Sequence, residues 1–306
     1  IVKEAFYIAS TGRPGPVVID LPVDVTTDTW DGDTPDKINL PGYKPSYEGN
    51  VRQIKMAAEA INRSKRPVIY AGGGVIASNS SKKLIELAEK ANLPVNTTLL
   101  ALGVFPEDNE KALGMLGMHG TVPANYAVHK SDLLIAIGAR FDDRITGKID
   151  EFAPQAQIIH IDVDPTSISK NIKVDIPVVG DANNILTELI KHVSYVERKE
   201  WFERIAEWKK RYHVSYDNTS DIVKPQYVVE QICEATKGEA IVTTEVGQNQ
   251  MWAAQYYTYT NPRSFLSSGG LGTMGFGFPA AIGAQLGCLD KIVIAIAGDG
   301  SFQMNI

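Results

Sequence analysis

The chain has 306 residues, of which 44% are hydrophobic and 22% charged, and this is the composition of a globular protein. Its formal net charge of −6 argues against a nucleic-acid or anionic-membrane partner. No apolar run approaches the roughly 20 residues of a membrane span. The cysteines, Cys233 and Cys288, lack C-x-x-C spacing, so we predict reduced core thiols in an intracellular protein.

The first residues predict a helix that ends near Gly12, followed by an apolar strand at residues 17–21 and a linker rich in Pro, Gly and Asp. The chain begins at Ile1, inside that helix, and stops shortly after a buried strand. We therefore expect an internal piece of a larger enzyme, cut at both ends, in which no targeting segment can be observed.

Strands and helices alternate regularly from about residue 50. The strands are RPVIYA, LPVNTT, SDLLIAIGA, AQIIHIDVD and IPVV, and the helices include IKMAAEAINRS, SSKKLIELAEKA and ANNILTELIKHV. This alternation predicts an α/β domain built on a parallel sheet. A ligand site is expected at the carboxyl ends of its strands.

A charged helix and a polar turn at residues 197–223 predict a second linker. The segment after it has a helix, PQYVVEQICEATK, and two clear strands, EAIVTTEVG and KIVIAIAG, whereas RSFLSS is a poor strand. Two strands cannot bury their faces alone, so we expect an incomplete domain. The predicted organisation is a tail and linker at 1–45, a complete domain at 46–196, the linker at 197–223 and a partial domain at 224–306.

Two glycine-rich turns are candidate ligand sites. Gly72, Gly73 and Gly74 separate a strand from a helix, where a pyrophosphate could bind the helix N-terminus. The next strand lacks the acidic residue of a simple Rossmann NAD site, and close packing of strand and helix explains the glycines equally well. Gly270-x-Gly272-x-x-Gly275 matches the dinucleotide pattern without a good strand before it, and alone it indicates an ordinary crossover.

Charged and polar residues follow other strands. Arg140, Asp142, Asp143 and Arg144 either form a solvated salt-bridge patch or line a cleft. His119 lies between glycines and methionines, without a second ligand at metal spacing, which suits a structural role or contact with an aromatic cofactor better than a metal. Asp299, in the tetrad Gly298–Ser301, could hold Mg²⁺ against a diphosphate, with a further ligand from beyond residue 306.

Six segments together resemble the acetolactate synthase (acetohydroxyacid synthase) family of thiamine-diphosphate enzymes. They are GRPGPVVIDLPVDV, GMLGMHGT, GARFDDRITG, TTEVGQNQMWAAQ, GGLGTMGFGFPAAIGA and GDGSFQMN, in the family's order over nearly the whole chain. The resemblance implies α/β parallel-sheet domains: the tail of a pyrimidine domain, a complete central FAD domain and part of a diphosphate domain.

The resemblance also implies the cofactor sites. Asp299 would hold Mg²⁺, and Met274 would press under the thiamine diphosphate. Other contacts to that cofactor would come from Val246, Gly247, Gln248, Asn249, Gly272, Gly298, Gly300 and Ser301. FAD would contact Gly72, Gly73, Gly74, Thr98, Leu99, Leu116, Gly117, Met118, His119, Gly138, Ala139, Arg140, Asp142, Ile145, Asp162, Val163 and Asp181.

The implied reaction is decarboxylation of pyruvate and transfer of the remaining two-carbon unit to a second 2-ketoacid, pyruvate or 2-ketobutyrate, in branched-chain amino-acid biosynthesis. Arg144 and Asp143 would edge the substrate channel, with Arg144 a partner for a carboxylate. The resemblance implies a transferase that is a homodimer or tetramer, with a possible small regulatory subunit, in the bacterial cytoplasm or an organelle. FAD would take no net redox part.

The sequence departs from the family's pattern at three points, and two competing functions remain. Asn249 stands where the family often has histidine. The activating glutamate and the second metal ligand would lie outside these residues, so we expect the fragment alone to be inactive. A pyruvate oxidase-like flavin enzyme and a non-catalytic FAD-binding module are the competing functions.

Overall fold

The computed structural model describes residues 1–33, 37–219 and 221–306. Residues 34–36 of the first predicted linker and residue 220 of the second lie outside the described residues. The helices are α1 (Val2–Ser10), α2 (Val23–Thr27), α3 (Val51–Arg63), α4 (Gly73–Ala77), α5 (Ser81–Ala91), α6 (Val122–Lys130), α7 (Asp143–Thr146), α8 (Ala182–His192), α9 (Lys199–Arg211), α10 (Pro225–Thr236), α11 (Gln248–Tyr256), α12 (Gly277–Gly287) and α13 (Asp299–Phe302). The strands are β1 (Pro67–Ala71), β2 (Val95–Thr97), β3 (Ala112–Met115), β4 (Leu133–Ile137), β5 (Gln157–Asp162), β6 (Ile176–Val179), β7 (Ile241–Thr244), β8 (Phe265–Ser267) and β9 (Val293–Ile296).

The larger sheet is six-stranded and parallel, in the order β3-β2-β1-β4-β5-β6. Its central strands β1 and β4 are buried along their whole length, as their continuous apolar sequences predict. One face packs on α3, α5 and α8 and the other on α6 and α9. The strand order reverses between β1 and β4, and this switch point is where a doubly wound sheet forms a ligand crevice.

Two elements of this sheet were not predicted. One is the strand β3, and the other is the helix α6, which follows it and packs on the sheet. β3 has the sequence ALGM, with Gly114 at a φ of +82°, so it lacks the apolar run of the other strands. It is an edge strand that, among the described residues, pairs only with β2. Hydrophobic periodicity does not reveal such pairing.

The strand predicted at residues 17–21 was wrong. The segment forms no strand, and Val18 is 92% exposed. Among the residues that the structure describes, no strand pairs with it, and an apolar run without a neighbouring strand leaves its backbone groups unpaired. The preceding helix α1 ends before Gly12, as predicted.

The smaller sheet has the order β8-β7-β9, and all its pairings are parallel. β8 corrects the reading of RSFLSS as a poor strand, because Phe265 is buried and pairs with Val242. Leu102 and Met115, from the segments after β2 and in β3, join the apolar cluster of this smaller sheet. The two sheets are therefore connected through a shared apolar core.

The second predicted linker, at residues 197–223, contains a helix that belongs to the core of the larger domain. Trp201 and Trp208 of α9 are buried in the core beside the six-stranded sheet, so this part of 197–223 packs as a domain helix does. The domain boundaries themselves stay a prediction.

Both cysteines are free thiols, as predicted, but each is half-buried rather than part of a closed core. In the described part of the chain, the search for a helix long and apolar enough to cross a bilayer finds none.

Candidate functional site

The residues predicted to contact FAD lie along one edge of the six-stranded sheet. Every strand contributes, because all six run in the same direction and their carboxyl ends share that edge. In the order of the sheet, the segments are Leu116–His119 after β3, Thr98 and Leu99 after β2, Gly72–Gly74 after β1, Gly138–Arg140 with Asp142 after β4, Asp162 and Val163 from β5, and Asp181 after β6. Residues far apart in the sequence are thus gathered at one site.

The glycine turn after β1 confirms the packing explanation at two of its three positions, and ligand binding there stays a prediction. A Cβ at Gly72 would lie 2.2 Å from the carbonyl oxygen of Gly138, and one at Gly74 would lie 2.6 Å from the Cα of Gly138. The Gly74 N–H donates to the Gly138 oxygen at 3.0 Å. These two glycines allow the turns after β1 and β4 to touch. At Gly73, in contrast, a Cβ would meet only Leu100, at 3.8 Å, so only this glycine leaves room for a ligand.

The loop after β3 lies against the charged segment after β4. The Met118 N–H donates to the Arg144 carbonyl at 3.0 Å, and a Cβ at Gly117 would lie 2.6 Å from that same oxygen. Gly117 has a φ of +104°, a backbone angle that would be strained in any residue with a side chain. Met118 and His119 are exposed at the tip of this loop. The structure therefore brings together two segments that the sequence singled out separately.

The charged segment after β4 is exposed and contains an ion pair, in line with a solvated salt-bridge patch, and its place in a cleft stays a prediction. Arg140 and Asp142 form an ion pair of 3.8 Å, with each side chain about half exposed. Within the described residues, Asp143 and Arg144 belong to no ion pair, and both are exposed at the start of α7. Burial raises the pKa of neighbouring Tyr70, and the Asp142 carboxylate adds to that shift. Because Arg144 is exposed and belongs to no ion pair among the described residues, its guanidinium is available to bind an anion.

Two acidic residues on the predicted FAD list already have local partners. Asp181 caps α8, where its carboxylate accepts the N–H groups of Asn183 and Asn184 at 2.9 and 3.3 Å. Asp162 accepts the N–H of Asp164 at 2.9 Å. Each carboxylate stabilises a turn at the sheet edge, which is a structural role that the sequence reading omitted.

The segments predicted to hold the diphosphate converge at the end of the smaller sheet. β7 leads into Val246–Asn249 and β9 into Gly298–Ser301, and the two strands are neighbours. A Cβ at Gly298 would lie 3.2 Å from Nδ2 of Asn249, and the Oδ1 of Asn249 is buried without a hydrogen-bond partner. Met274 reaches toward the same place, since its Cε lies 4.0 Å from a Cβ position at Gly300.

Asp299 is the first residue of α13 and is exposed. In the described residues, no group of three or more His, Cys, Asp or Glu side chains could hold a metal ion. Asp299 is thus a single carboxylate beside the backbone N–H groups at the start of α13. Its role as a magnesium ligand stays a prediction.

Sequence reasoning missed Glu245, which directly precedes the predicted segment at 246–249. Its side chain is fully buried, and its carboxylate accepts the N–H groups of Gly275, Phe276 and Phe278. The only signal in the sequence was an acidic residue at the end of an apolar strand. Its partners lie about 30 residues further along the chain and cannot be inferred from local pattern.

The two predicted sites are adjacent. A Cβ at Gly269 would lie 2.8 Å from Leu100, and Nε2 of Gln255 donates to the carbonyl of His119 at 2.8 Å. Arg263 donates to the Ile76 carbonyl at 2.9 Å, at the end of α4. These contacts hold the FAD-candidate edge against the segments of the smaller sheet.

Comparison with known proteins gives matches over the same regions. Residues 54–189 match the family model described as thiamine pyrophosphate enzyme, central domain. Residues 245–306 match the one described as thiamine pyrophosphate enzyme, C-terminal TPP binding domain.

Curated relatives cover nearly all of this chain. It is 49% identical to an acetolactate synthase large subunit of Buchnera aphidicola subsp. Schlechtendalia chinensis, over 99% of this chain and 54% of the relative. Identity to the acetolactate synthase large subunit of Haemophilus influenzae is 47%, over 100% of this chain and 55% of the relative. Identity to the isozyme 3 large subunit of Escherichia coli is 44%, with the same two coverages.

The chain spans about half the length of the curated relatives it matches. The two matched models agree with the α/β fold, the parallel sheets and the order of the two units along the chain. This chain belongs to the thiamine pyrophosphate enzyme family.

Proposed function

We propose that this chain is the FAD-binding and diphosphate-binding part of an acetolactate synthase, a transferase that joins two 2-ketoacids after one of them loses CO₂. The observation that carries the proposal is the adjacency of the two predicted cofactor edges, joined by the contacts of Gly269 and Gln255. The names of the relatives, and their 44–49% identity, support the same activity.

The segments at the end of the smaller sheet fit a diphosphate. Asn249 has a buried oxygen without a partner, and its amide nitrogen faces Gly298, where a side chain would crowd it. The amide nitrogen is a donor for a phosphate oxygen, and the N–H groups of Gly300 and Ser301 are further donors. Asp299 would hold Mg²⁺ through its exposed carboxylate. Asn249 thus supplies polar contact where the family often has histidine.

Thiamine diphosphate, when bound, supplies the electron sink that a decarboxylation of a 2-ketoacid requires. Met274 places an apolar side chain beside Gly300, where it would support the cofactor from below. Arg144 is exposed and without an ion-pair partner among the described residues, so its guanidinium would bind the carboxylate of a 2-ketoacid substrate. Asp143, beside it on α7, would line the same channel.

The edge of the six-stranded sheet fits a long, flat dinucleotide such as FAD. Gly73 leaves room for close approach, and the exposed Leu100 and Met118, after the neighbouring strands β2 and β3, present apolar surface. Arg140 adds a guanidinium for a phosphate. In this proposal FAD binds by contact with six strand ends, and Asp181 and Asp162 shape the edge as capping groups.

The proposed substrates are pyruvate and 2-ketobutyrate. The words "large subunit" in the relatives' names support a small partner subunit, and we propose a homodimer or tetramer as the assembly.

The test is acetolactate formation from pyruvate with thiamine diphosphate, Mg²⁺ and FAD, assayed on the natural gene product that carries this chain. We expect acetolactate to accumulate while the flavin absorbance stays oxidised. Bleaching of the flavin by pyruvate would favour the pyruvate oxidase-like alternative. Saturable FAD binding without product would favour the non-catalytic module.

Arg144→Ala sharpens this test. We expect the KM for pyruvate to rise about 10-fold or more, because a charge-assisted contact to the carboxylate is lost, while bound FAD stays stoichiometric. The matched control is Arg63→Ala, at the exposed end of α3. Equal KM values for the two variants would contradict the role of Arg144.

A further inference from the structure

Glu245 is a buried acidic residue whose side chain accepts hydrogen bonds from three backbone N–H groups. Its side chain is 0% exposed. Oε2 accepts the N–H of Gly275 at 2.8 Å and of Phe276 at 3.1 Å, and Oε1 accepts the N–H of Phe278 at 3.1 Å. In the part of the chain that the structure describes, no cation forms an ion pair with it. The start of α12 therefore provides the whole local stabilisation of this charge.

The position of Glu245 links the two segments proposed to hold thiamine diphosphate. Its own backbone continues β7, since the Glu245 N–H donates to Ile296 of β9 at 3.0 Å. Residues 246–249 follow it directly. On the other side, its carboxylate holds the residues that come just after Met274. The Glu245 side chain thus connects the strand that leads into residues 246–249 with the turn that follows Met274.

The turn that Glu245 holds is tightly constrained. Gly275 has a φ of +79°, and a Cβ at Gly277 would lie 2.6 Å from the backbone of Thr244. Thr243 donates to the Gly277 carbonyl at 2.9 Å. These contacts fix the start of α12 on the end of β7. The turn before it, at residues 275 and 276, is anchored to that strand by the Glu245 carboxylate.

We propose that Glu245 is a positioning residue for the cofactor site, which holds the Met274 turn at the spacing from residues 246–249 that thiamine diphosphate requires. This proposal rests on the proposed function and adds a residue to it. In this proposal the buried Glu245 carboxylate would act through the turn that it holds and not by contact with the cofactor. Loss of its carboxylate frees three N–H groups and lets the turn move relative to β7.

The experiment compares the full chain with E245Q, E245A and the control E239Q. Glu239 lies at the opposite end of β7, is 60% exposed and pairs with Lys291 at 3.4 Å. The first measurement is amide hydrogen exchange at Gly275, Phe276 and Phe278 without any cofactor. The second is the Kd for thiamine diphosphate in MgCl₂, measured by calorimetry well below the melting temperature of each variant, so that all molecules are folded.

We expect the three amides to be protected in the parent chain and in E239Q and to exchange faster in E245A. We expect the Kd to rise about 10-fold or more in E245A and less in E245Q, because an amide keeps one of the two accepting oxygens. A purely structural role would lower the melting temperature and leave the Kd of folded molecules unchanged. If E245A does not fold, amide exchange and the Kd are compared between E245Q and E239Q instead.

Two results would overturn the proposal. Protected amides in E245A would mean that the carboxylate does not hold the turn, and an unchanged Kd in both Glu245 variants would mean that the spacing does not matter for binding. Failure of the parent chain to bind thiamine diphosphate is a different outcome, because it removes the proposed diphosphate site and the role of Glu245 together.

Discussion

At the scale of single residues, three consecutive glycines have different roles. Gly72 and Gly74 allow the turns after β1 and β4 to touch, whereas a Cβ at Gly73 would make only an ordinary contact with Leu100, at 3.8 Å. The same three letters in the sequence therefore combine two positions that require glycine for packing with one that does not. The distinction depends on Gly138, which lies more than 60 residues away and contacts only two of the three.

We predict that Gly72→Ala lowers the free energy of unfolding by about 1–3 kcal/mol or more, since its Cβ would lie 2.2 Å from a backbone oxygen that has no room to move. Gly73→Ala is the matched control, and its Cβ makes an ordinary contact of 3.8 Å. We expect that change to stay within about 0.5 kcal/mol. Chemical denaturation of the two variants without cofactor measures the difference, and equal losses would refute the assignment.

At the scale of secondary-structure elements, Arg198 joins the ends of two helices. It is 4% exposed, and its guanidinium donates to the carbonyl of Ile61 in α3 at 2.7 Å and of Ala91 in α5 at 2.6 Å. A further bond reaches the Ser64 carbonyl at 3.1 Å. Burial lowers the pKa of Arg198 to about 10, which leaves it charged at neutral pH. Cations at helix C-termini are stabilising, and this one serves two helices.

Arg198→Lys is expected to reduce the free energy of unfolding by about 2–4 kcal/mol, because an ammonium group cannot span both helix ends as the planar guanidinium does. Arg204→Lys, on the exposed face of the following helix α9, is the control and should change stability by less than about 0.5 kcal/mol. Thermal and urea unfolding would measure both. Similar values for the two would mean that the double capping adds nothing.

At the scale of the whole molecule, Glu107 and Tyr259 connect the two sheet domains. The Glu107 N–H donates to the Tyr259 carbonyl at 3.1 Å, and the Glu107 carboxylate accepts the Tyr259 N–H at 2.8 Å. Burial raises the pKa of Glu107 from 4.5 to about 8, although that hydrogen bond acts in the opposite direction. The connection between the domains therefore contains a carboxyl group that resists ionisation.

The raised pKa of Glu107 predicts how stability depends on pH. Its contribution is fully present below the unfolded pKa of 4.5 and is lost as pH rises through about 8. Glu107→Gln removes this loss and keeps an oxygen for the Tyr259 N–H. We expect the variant to match the parent chain in acid and to become more stable than it toward alkaline pH.

Denaturation at several pH values between about 5 and 9 checks this prediction. Asp108→Asn, at the exposed neighbouring residue, is the control and should follow the parent profile. Parallel profiles for the parent chain and Glu107→Gln would show that the carboxyl ionises as it does in water.

The amino-acid sequence alone determined the α/β alternation, the parallel sheet and the family, because apolar strands and amphipathic helices are local patterns and six motifs occur in family order. It also placed the candidate site at strand ends, since parallel strands share one carboxyl edge. The predicted cofactor contacts stay predictions. Only the tertiary structure decided that residues 17–21 form no strand and that β3 and β8 do. It also decided that, of the three consecutive glycines, Gly72 and Gly74 pack against Gly138 and Gly73 does not. It alone showed that Glu245 holds the Met274 turn, and that Arg198 caps two helices. Each of these depends on hydrogen bonds or contacts between residues distant in the chain, and no local pattern encodes such partners.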